Sequence, residues 1–282
     1  MTDTAAPNAD QQAYWNESAA KAWVELHDLL DRQLEPLGAR AMGELALRAG
    51  ERVLDIGCGT GQTTLQLAAR VGAQGSVLGA DISGPMLEIA RDRAAAAQLS
   101  QTQFLQADAQ THPFDADAMD AVFSRFGVMF FADPRAAFTN VRSALKPGGR
   151  LAFVCWRSMA ENPWMRPAAG SAFADVPAPL APEPGAPGPF AFADREHVGA
   201  ILADAGFADI AVTPHDAKLG GITLEESIRL SLGVGPLGAL LRERPEKRDE
   251  VEAELRKALA ARVLDGRVVQ DSATWIVTAR KA

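Results

Sequence analysis

The stretch VLDIGCGTGQ, residues 53–62, decides the fold, because an apolar run ends in Asp55 and passes directly into three closely spaced glycines. Such glycines let the backbone turn from a strand into a helix and approach a ligand closely. Gly57, Gly59 and Gly61 form G-x-G-x-G, which differs from the G-x-G-x-x-G fingerprint of dinucleotide folds. A carboxylate at the strand end would repel a diphosphate and attract an ammonium or sulfonium group. We therefore expect a cationic ligand.

On either side of this loop, strand-like and helix-like segments alternate. Apolar runs predict strands at 52–57, 76–81, 103–108, 118–126 and 149–156, and amphipathic periodicity predicts helices at 60–70, 85–98 and 134–145. Strands that alternate with helices indicate right-handed crossovers and a parallel sheet covered on both faces. The fold class expected from the pattern is α/β, with a doubly wound sheet.

The two ends of the chain add helices to this core. Apolar residues recur at three- and four-residue steps from Trp15 to Leu30, and we expect Pro36 and Gly38 to end that helix before a short one at 40–48. After a proline-rich stretch, helices are predicted at 191–207, 224–241 and 245–264, and strands at 208–214 and 273–282.

These elements are interpreted as one domain over residues 1–282. Its parts are N-terminal helices that could form a lid (1–49), a ligand-binding core (50–157), a proline-rich cap (158–190), and the remaining sheet elements (191–282) with a helical insertion at 218–270. We expect the cap and the insertion to roof the open end of the sheet.

Composition excludes several classes of function. The 282 residues are 48% hydrophobic and carry a formal charge of -8, without a basic run that could follow a phosphate backbone, so no nucleic-acid partner is expected. Cys58 and Cys155 have neither disulfide-framework nor metal-ligand spacing, so no metal is expected. The first thirty residues contain several acidic residues and no continuous apolar region, so no secretory signal is expected, and no run of about 18 apolar residues follows. We predict a cytoplasmic protein without a membrane span that acts on a small molecule. Its assembly is left open between monomer and homodimer.

Two further acidic residues end predicted strands. Asp81 follows Gly61 by twenty residues and could accept both hydroxyls of a ribose, whereas Asp108 could read the exocyclic amine of an adenine. Together with Asp55, these residues lie at the carboxyl ends of neighbouring parallel strands, where open α/β sheets bind ligands. The three residues together predict a ligand that consists of an adenosine with a positively charged tail.

The ordered motifs VLDIGCGTG, VLGADIS, FLQADAQ, DAVFSRFGVMFF and LKPGGRLAFV cover residues 51–156. In order and spacing they resemble class I S-adenosylmethionine-dependent methyltransferases, in particular the small-molecule group of ubiquinone and menaquinone biosynthesis methyltransferases. The resemblance implies a seven-stranded, mostly parallel Rossmann-like sheet with an antiparallel last strand. It also implies S-adenosyl-L-methionine as cofactor, S-adenosyl-L-homocysteine as product, and in-line methyl transfer to a small, hydrophobic acceptor.

The same resemblance assigns cofactor-binding positions. Asp55 and the glycine loop would face the methionine portion, Asp81 the ribose hydroxyls, and Asp108 the adenine edge. The full set that it implies is Asp55, Gly57, Cys58, Gly59, Gly61, Asp81, Ile82, Met86, Asp108, Ala109 and Ser124.

Methyl transfer needs no nucleophilic side chain, but an acceptor that loses a proton needs a base. His112, on the loop after the third strand, is the candidate for this catalytic role, against the alternative of an ordinary loop histidine, and His27 is expected on a helix surface. Arg125 is the second candidate for a catalytic role, and because it ends a strand in apolar surroundings it needs an anionic partner. That partner could be the cofactor carboxylate, a substrate acid, or a structural residue such as Asp120 or Asp133.

Aromatic residues outside the core point to the acceptor. Candidates for substrate contact are Tyr14 and Trp15, as a lid or alternatively a hydrophobic staple, and Trp156 and Trp164, as pocket wall or alternatively plain packing. Phe173, Phe190 and Phe192 also suggest a hydrophobic acceptor. Two other functions stay open, an NAD-dependent dehydrogenase and a non-catalytic S-adenosylmethionine-binding or regulatory module.

Overall fold

The computed structural model describes residues 7–165 and 185–282. In these ranges the strands are β1 (Arg52–Ile56), β2 (Ser76–Asp81), β3 (Thr102–Gln106), β4 (Met119–Arg125), β5 (Leu145–Trp156), β6 (Phe207–Leu219), β7 (Val263–Leu264), β8 (Arg267–Val268) and β9 (Gln270–Lys281). The α-helices are α1 (Ala9–Ala13), α2 (Ala20–Glu25), α3 (His27–Glu44), α4 (Gln62–Val71), α5 (Gly84–Ala96), α6 (Pro134–Ala144), α7 (Arg195–Asp204), α8 (Leu224–Gly233), α9 (Gly235–Glu243) and α10 (Arg248–Ala260). A π-helical turn, Tyr14–Ser18, lies between α1 and α2.

A seven-stranded sheet forms the centre of the molecule, in the order β3-β2-β1-β4-β5-β9-β6. All neighbouring pairs from β3 to β5 are parallel, whereas β9 runs antiparallel between β5 and β6. This arrangement confirms the predicted fold class and the antiparallel last strand. The chain order reverses between β1 and β4, and open α/β sheets bind ligands beside such a reversal, at the carboxyl ends of the strands.

The core lies on the faces of this sheet. Leu54, Phe123 and Phe153 are fully buried on the central strands, and Phe138 of α6 stacks on Phe153 with ring centroids 5.6 Å apart. The near-continuous apolar character of β1, β4 and β5 is what a parallel sheet covered on both faces requires.

The N-terminal helices differ from the prediction, because α3 continues through Pro36 and Gly38 instead of ending there. A Cβ atom on Gly38 would lie 2.8 Å from Cδ of Arg125, so this glycine makes room for the arginine side chain against the helix. Packing against the sheet therefore outweighs the local tendency of these two residues to end a helix.

The C-terminal insertion also differs from the prediction. The single helix expected at 224–241 is two helices, α8 and α9, because the Gly235–Pro236 pair starts a new helix. The last part of the helix expected at 245–264 is the strand β7, which pairs with β8 in a hairpin. Helices α8, α9 and α10 enclose their own apolar cluster, which includes Ile228, Leu241 and Val251.

The proline-rich segment falls mostly outside the described residues, and so does Phe173. The proposed division into core, cap and insertion stays a prediction. In the part of the chain that the structure describes, no helix combines the length and the apolar character needed to cross a membrane.

Candidate functional site

The glycine loop turns from β1 into α4 through three residues with positive φ, Gly57 at 66°, Gly59 at 54° and Gly61 at 86°. A Cβ atom on Gly57 would lie 2.7 Å from Cα of Gly127, so close backbone packing requires a glycine there. At Gly59 the nearest atom to such a Cβ is Sδ of Met86, 3.8 Å away. Gly57 is therefore closely packed, whereas a Cβ at Gly59 would make only an ordinary van der Waals contact.

Asp55 holds this loop from beneath. It is fully buried, and its Oδ2 accepts hydrogen bonds from the hydroxyls of Thr63 and Thr64, each at 2.7 Å, in the first turn of α4. Burial raises the pKa of Asp55 to about 6, although the two threonine hydrogen bonds oppose that rise. Within the described residues Asp55 does not line the cavity. The contacts of Oδ2 order the loop, whereas Oδ1 has no hydrogen-bond partner among the described residues, so the expectation that the charge of Asp55 faces the ligand stays a prediction.

Asp81 lies at the carboxyl end of β2 and lines the cavity. Its Oδ2 accepts a hydrogen bond from the amide of Gly59 at 2.7 Å, and its Oδ1 accepts one from the amide of Ser83 at 2.8 Å. Burial raises the pKa of Asp81, whereas these backbone hydrogen bonds lower it. Each oxygen keeps a lone pair that can accept a ligand hydroxyl.

Asp108 also lines the cavity, two residues beyond the end of β3. Its Oδ2 accepts a hydrogen bond from Nδ2 of Asn8 at 2.8 Å, and its Oδ1 accepts one from the amide of Gln110 at 2.9 Å. The Asn8 side chain also accepts a hydrogen bond from the amide of Ala132 at 2.7 Å. The N-terminal segment is thus tied directly to the ligand edge of the sheet.

The N-terminal segment closes over the same edge at a second point. Nδ2 of Asn16 donates to the carbonyl oxygen of Ile82 at 3.1 Å, and the Ser83 hydroxyl donates to the carbonyl oxygen of Trp15 at 2.8 Å. Trp15 lines the cavity, and Tyr14 packs edge-on against it without lining the cavity in the described part of the chain. This geometry favours the lid interpretation for Trp15 and gives Tyr14 a supporting position.

A cavity of about 370 Å³ lies between the strand ends, the N-terminal helices and the C-terminal insertion. Eight of the predicted cofactor-binding residues line it, namely Gly57, Cys58, Gly59, Asp81, Ile82, Met86, Asp108 and Ala109. Ser124 is instead fully buried, and its hydroxyl donates to the carbonyl oxygen of Ile56 at 2.8 Å. Its predicted ligand contact is wrong, because the hydroxyl joins β4 to β1. Gly61 likewise acts in packing, since a Cβ there would lie 2.8 Å from Cβ of Ala90.

The other part of the cavity is apolar. Trp156 stacks on Phe126 with ring centroids 4.1 Å apart and meets Trp164 edge-on at 5.5 Å, and all three rings line the cavity. Sequence reasoning missed Phe126, which directly follows β4 with φ at 64°, a conformation that bulky residues rarely adopt. Phe192 is buried in the core.

Arg125 has a structural partner that the sequence did not reveal. Its Nη2 lies 3.1 Å from Oδ1 of Asp31, and Nη1 of Arg93 lies 2.8 Å from the other oxygen of the same carboxylate. Arg125 also donates to the side-chain oxygen of Gln62. Asp31 is 5% exposed, and both it and Arg125 line the cavity. The suggested partners are engaged elsewhere. Asp120 pairs with Lys146, and Asp133 caps the start of α6.

The structure reverses the positions expected for the two histidines. His112 lines a separate cavity beside Arg52 and Ser76, at the amino ends of the strands, so its predicted active-site position is wrong. His27, expected on a helix surface, lines the main cavity one helical turn before Asp31. Nδ1 of His27 is buried and lies 3.0 Å from Oδ1 of Asp28, outside hydrogen-bond geometry, so this nitrogen has no hydrogen-bond partner among the described residues.

Comparison with known proteins places this site in context. Residues 53–149 match a family model described as a methyltransferase domain. Over 152 residues, 53% of this chain and 61% of the relative, the sequence is 36% identical to a ubiquinone/menaquinone biosynthesis C-methyltransferase, UbiE, from Teredinibacter turnerae, so the chain spans less than two thirds of that relative. Over 147 residues, 51% of this chain and 67% of the relative, it is 39% identical to the aklanonic acid methyltransferase DauC from Streptomyces sp. strain C5.

Similarity in structure extends over more of the chain. A Haemonchus contortus phosphoethanolamine N-methyltransferase 2 in complex with S-adenosyl-L-methionine superimposes with a TM-score of 0.62 at 18% identity, covering 96% of this chain and 59% of that one. At this identity the likeness shows the fold.

Proposed function

Because this chain belongs to the class I S-adenosylmethionine-dependent methyltransferases, we propose that it transfers the methyl group of S-adenosylmethionine to a small, hydrophobic acceptor. One observation carries the proposal. A single cavity joins the polar edge around Gly59, Asp81 and Asp108 to an apolar wall that includes Trp156 and Trp164. The first part suits a nucleoside, and the second suits an acceptor without charge.

The residues at the polar edge fit the cofactor chemically. Asp81 would accept the two ribose hydroxyls, because each of its oxygens has a single backbone donor. Ile82 and Met86 would flank the adenine, and Asp108 would accept from its exocyclic amine. Gly59 would lie beneath the methionine portion, since its missing side chain leaves the space that a Cβ would fill.

S-adenosylmethionine supplies a methyl carbon activated by its sulfonium sulfur, so alignment and exclusion of water account for much of the acceleration. The N-terminal segment that hydrogen-bonds Asp108 and Ile82 would exclude water from the site. For an acceptor that loses a proton, His27 would act as the base, the role that the sequence pattern predicted for His112. The imidazole of His27 would receive that proton while the neighbouring carboxylate of Asp28 stabilises the resulting charge.

The names of the relatives support an apolar acceptor. One relative is named for ubiquinone/menaquinone biosynthesis, and a quinone is an apolar ring that a wall such as Trp156 and Trp164 would cover.

Calorimetric titration tests the cofactor half of the proposal. We expect S-adenosylhomocysteine to bind the full chain and Asp81→Asn to weaken that binding at least 10-fold, since a hydrogen bond to a charged group contributes about 1.5–3 kcal/mol. The matched control is Asp115→Asn, an exposed aspartate beside the other cavity, which should leave the affinity unchanged. Tight NAD binding without S-adenosylhomocysteine binding would instead indicate a dehydrogenase.

Turnover tests the transfer itself. We expect S-adenosylhomocysteine to form from S-adenosylmethionine in the presence of members of a library of aromatic hydroxyl and quinol acceptors. A folded, cofactor-saturated protein that methylates no member of the library would favour the non-catalytic module.

A further inference from the structure

Ser227, on the first turns of α8, carries a hydroxyl that the fold does not use. The residue is 4% exposed, its Oγ has no hydrogen-bond partner among the described residues, and it lines the cavity. A buried helical serine can donate to the carbonyl oxygen four residues earlier. Here the carbonyl oxygen of Thr223 accepts from the backbone amide of Ser227 at 2.9 Å, and the hydroxyl does not join it. Because a buried, unpaired hydroxyl is unfavourable, a ligand that pairs with it gains affinity.

The position of this hydroxyl is held on two sides. Glu226 forms an ion pair with Arg32 of α3 at 2.7 Å, and Oε2 of Glu225 accepts a hydrogen bond from Nη2 of Arg256 of α10 at 3.0 Å. A capping box also fixes the start of α8. Ser227 is therefore placed before any ligand arrives, which lowers the ordering cost of binding.

The surrounding wall is largely apolar. Ser231 lies one turn further along the same helix and also lines the cavity, together with Leu230 of α8 and Leu255 and Leu259 of α10. A few hydroxyls in an apolar wall orient a ligand through its polar atoms while the wall buries its carbon skeleton.

Building on the function proposed above, we propose that Ser227 is the polar anchor of the acceptor subsite. It hydrogen-bonds an oxygen substituent, a hydroxyl or a carbonyl, on an otherwise apolar ring, and Ser231 offers a second contact on the same face. An analogue without that oxygen leaves the hydroxyl unpaired, so the subsite discriminates against it. The subsite therefore favours an acceptor that carries an oxygen on its ring over the matching hydrocarbon.

A pair of matched probes tests this assignment by binding, independently of turnover. The full chain, saturated with S-adenosylhomocysteine, is titrated with 2-naphthol and with naphthalene. We expect 2-naphthol to bind about 3- to 10-fold more tightly, the effect of one hydrogen bond. Ser227→Ala should weaken 2-naphthol binding by that factor and change naphthalene binding less than about 2-fold. Ser227→Cys, which keeps a weak donor, should restore part of the difference.

Ser143→Ala, an exposed helical serine on α6, is the matched control and should change neither affinity. Equal affinities for the two probes, an equal loss for both in Ser227→Ala, or no binding of either would overturn the assignment. Equal affinities are also the result expected if a permanently bound water satisfies the hydroxyl. The same titrations without S-adenosylhomocysteine separate the two proposals, because a protein that fails to bind the cofactor can still distinguish the probes through Ser227.

Discussion

Replacing Asp55 by asparagine should remove a pH-dependent part of the free energy of unfolding. The carboxyl group is fully buried, and its burial raises its pKa from an ordinary value of 3.8 to about 6. In the unfolded chain the group returns to the ordinary value. Between pH 3.8 and about pH 6 the folded protein therefore holds a proton on Asp55 that the unfolded chain has lost. Stability from this group is accordingly greatest at acid pH and is lost as the pH rises through about 6.

The magnitude follows from the difference between the two pKa values. About 2 pKa units at about 1.4 kcal/mol each correspond to about 3 kcal/mol over the whole range. Between about pH 4.5 and about pH 7.5 the change is about 2 kcal/mol, because pH 4.5 lies above the pKa of the unfolded carboxyl and the window covers only part of the interval between the two pKa values. Asparagine resembles the neutral carboxyl and cannot titrate.

Urea denaturation of the two proteins without cofactor measures the effect. The free energy of unfolding of the wild type, minus that of Asp55→Asn, should rise by about 2 kcal/mol from about pH 7.5 to about pH 4.5. Taking the difference cancels the carboxylates that titrate in both proteins, such as Glu226, whose pKa is lowered to about 2 mainly by its hydrogen bond from Arg32. A difference that is constant with pH would refute the reasoning.

The same variant distinguishes two roles for Asp55 in ligand binding. If its charge attracted the sulfonium directly, Asp55→Asn would weaken the cationic S-adenosylmethionine more than the uncharged thioether S-adenosylhomocysteine. The hydrogen bonds to Thr63 and Thr64 indicate that it orders the loop, so both ligands should be affected equally. Calorimetric titration of both proteins with the two ligands decides between the two roles of Asp55.

Three further changes give separate readouts. Gly59→Ala places a methyl group in the cofactor space at positive φ, so calorimetry should show S-adenosylhomocysteine binding reduced more than 10-fold, while unfolding measures a loss of only about 1–2 kcal/mol. Asp31→Asn leaves Arg93 and Arg125 without their shared carboxylate and should lower the free energy of unfolding by about 3–5 kcal/mol in urea; a loss under about 1 kcal/mol would contradict the buried ion pairs. His27→Gln should lower kcat about 100- to 10,000-fold for acceptors that lose a proton and leave others unchanged in steady-state assays.

The cofactor edge could be predicted from sequence because its signals are local. A strand that ends in an acidic residue, followed by glycines and a helix, places Gly59 and Asp81 at one edge of the sheet wherever the rest of the chain goes. The same local pattern could not distinguish residues that contact the ligand from residues that hold the backbone around it. Asp55 and Ser124 carry suitable groups at suitable strand ends, yet both point into the protein and hold backbone segments together.

The other differences from the sequence-based expectation have causes that lie outside the local pattern. Arg125 finds its partner in Asp31, 94 residues away in sequence, and Gly38 permits that approach, which no local pattern could reveal. The error over His112 comes from topology. The connection after β3 must return to the amino edge to begin the parallel strand β4, and it does so without an α-helix, so a residue four positions after Asp108 has already left the ligand edge.

The two halves of the cavity differ in where their residues come from. Gly59, Asp81 and Asp108 fall inside the stretch 53–149 that matches the methyltransferase domain, whereas His27 and Ser227 fall outside it. Helix α3 joins the two halves, because Asp31 anchors it to the core while His27, one turn earlier on the same helix, faces the cavity. We therefore expect changes in the proposed acceptor wall to alter specificity while the cofactor edge keeps its geometry, since the ion pairs of Asp31 with Arg93 and Arg125 hold α3 against the core.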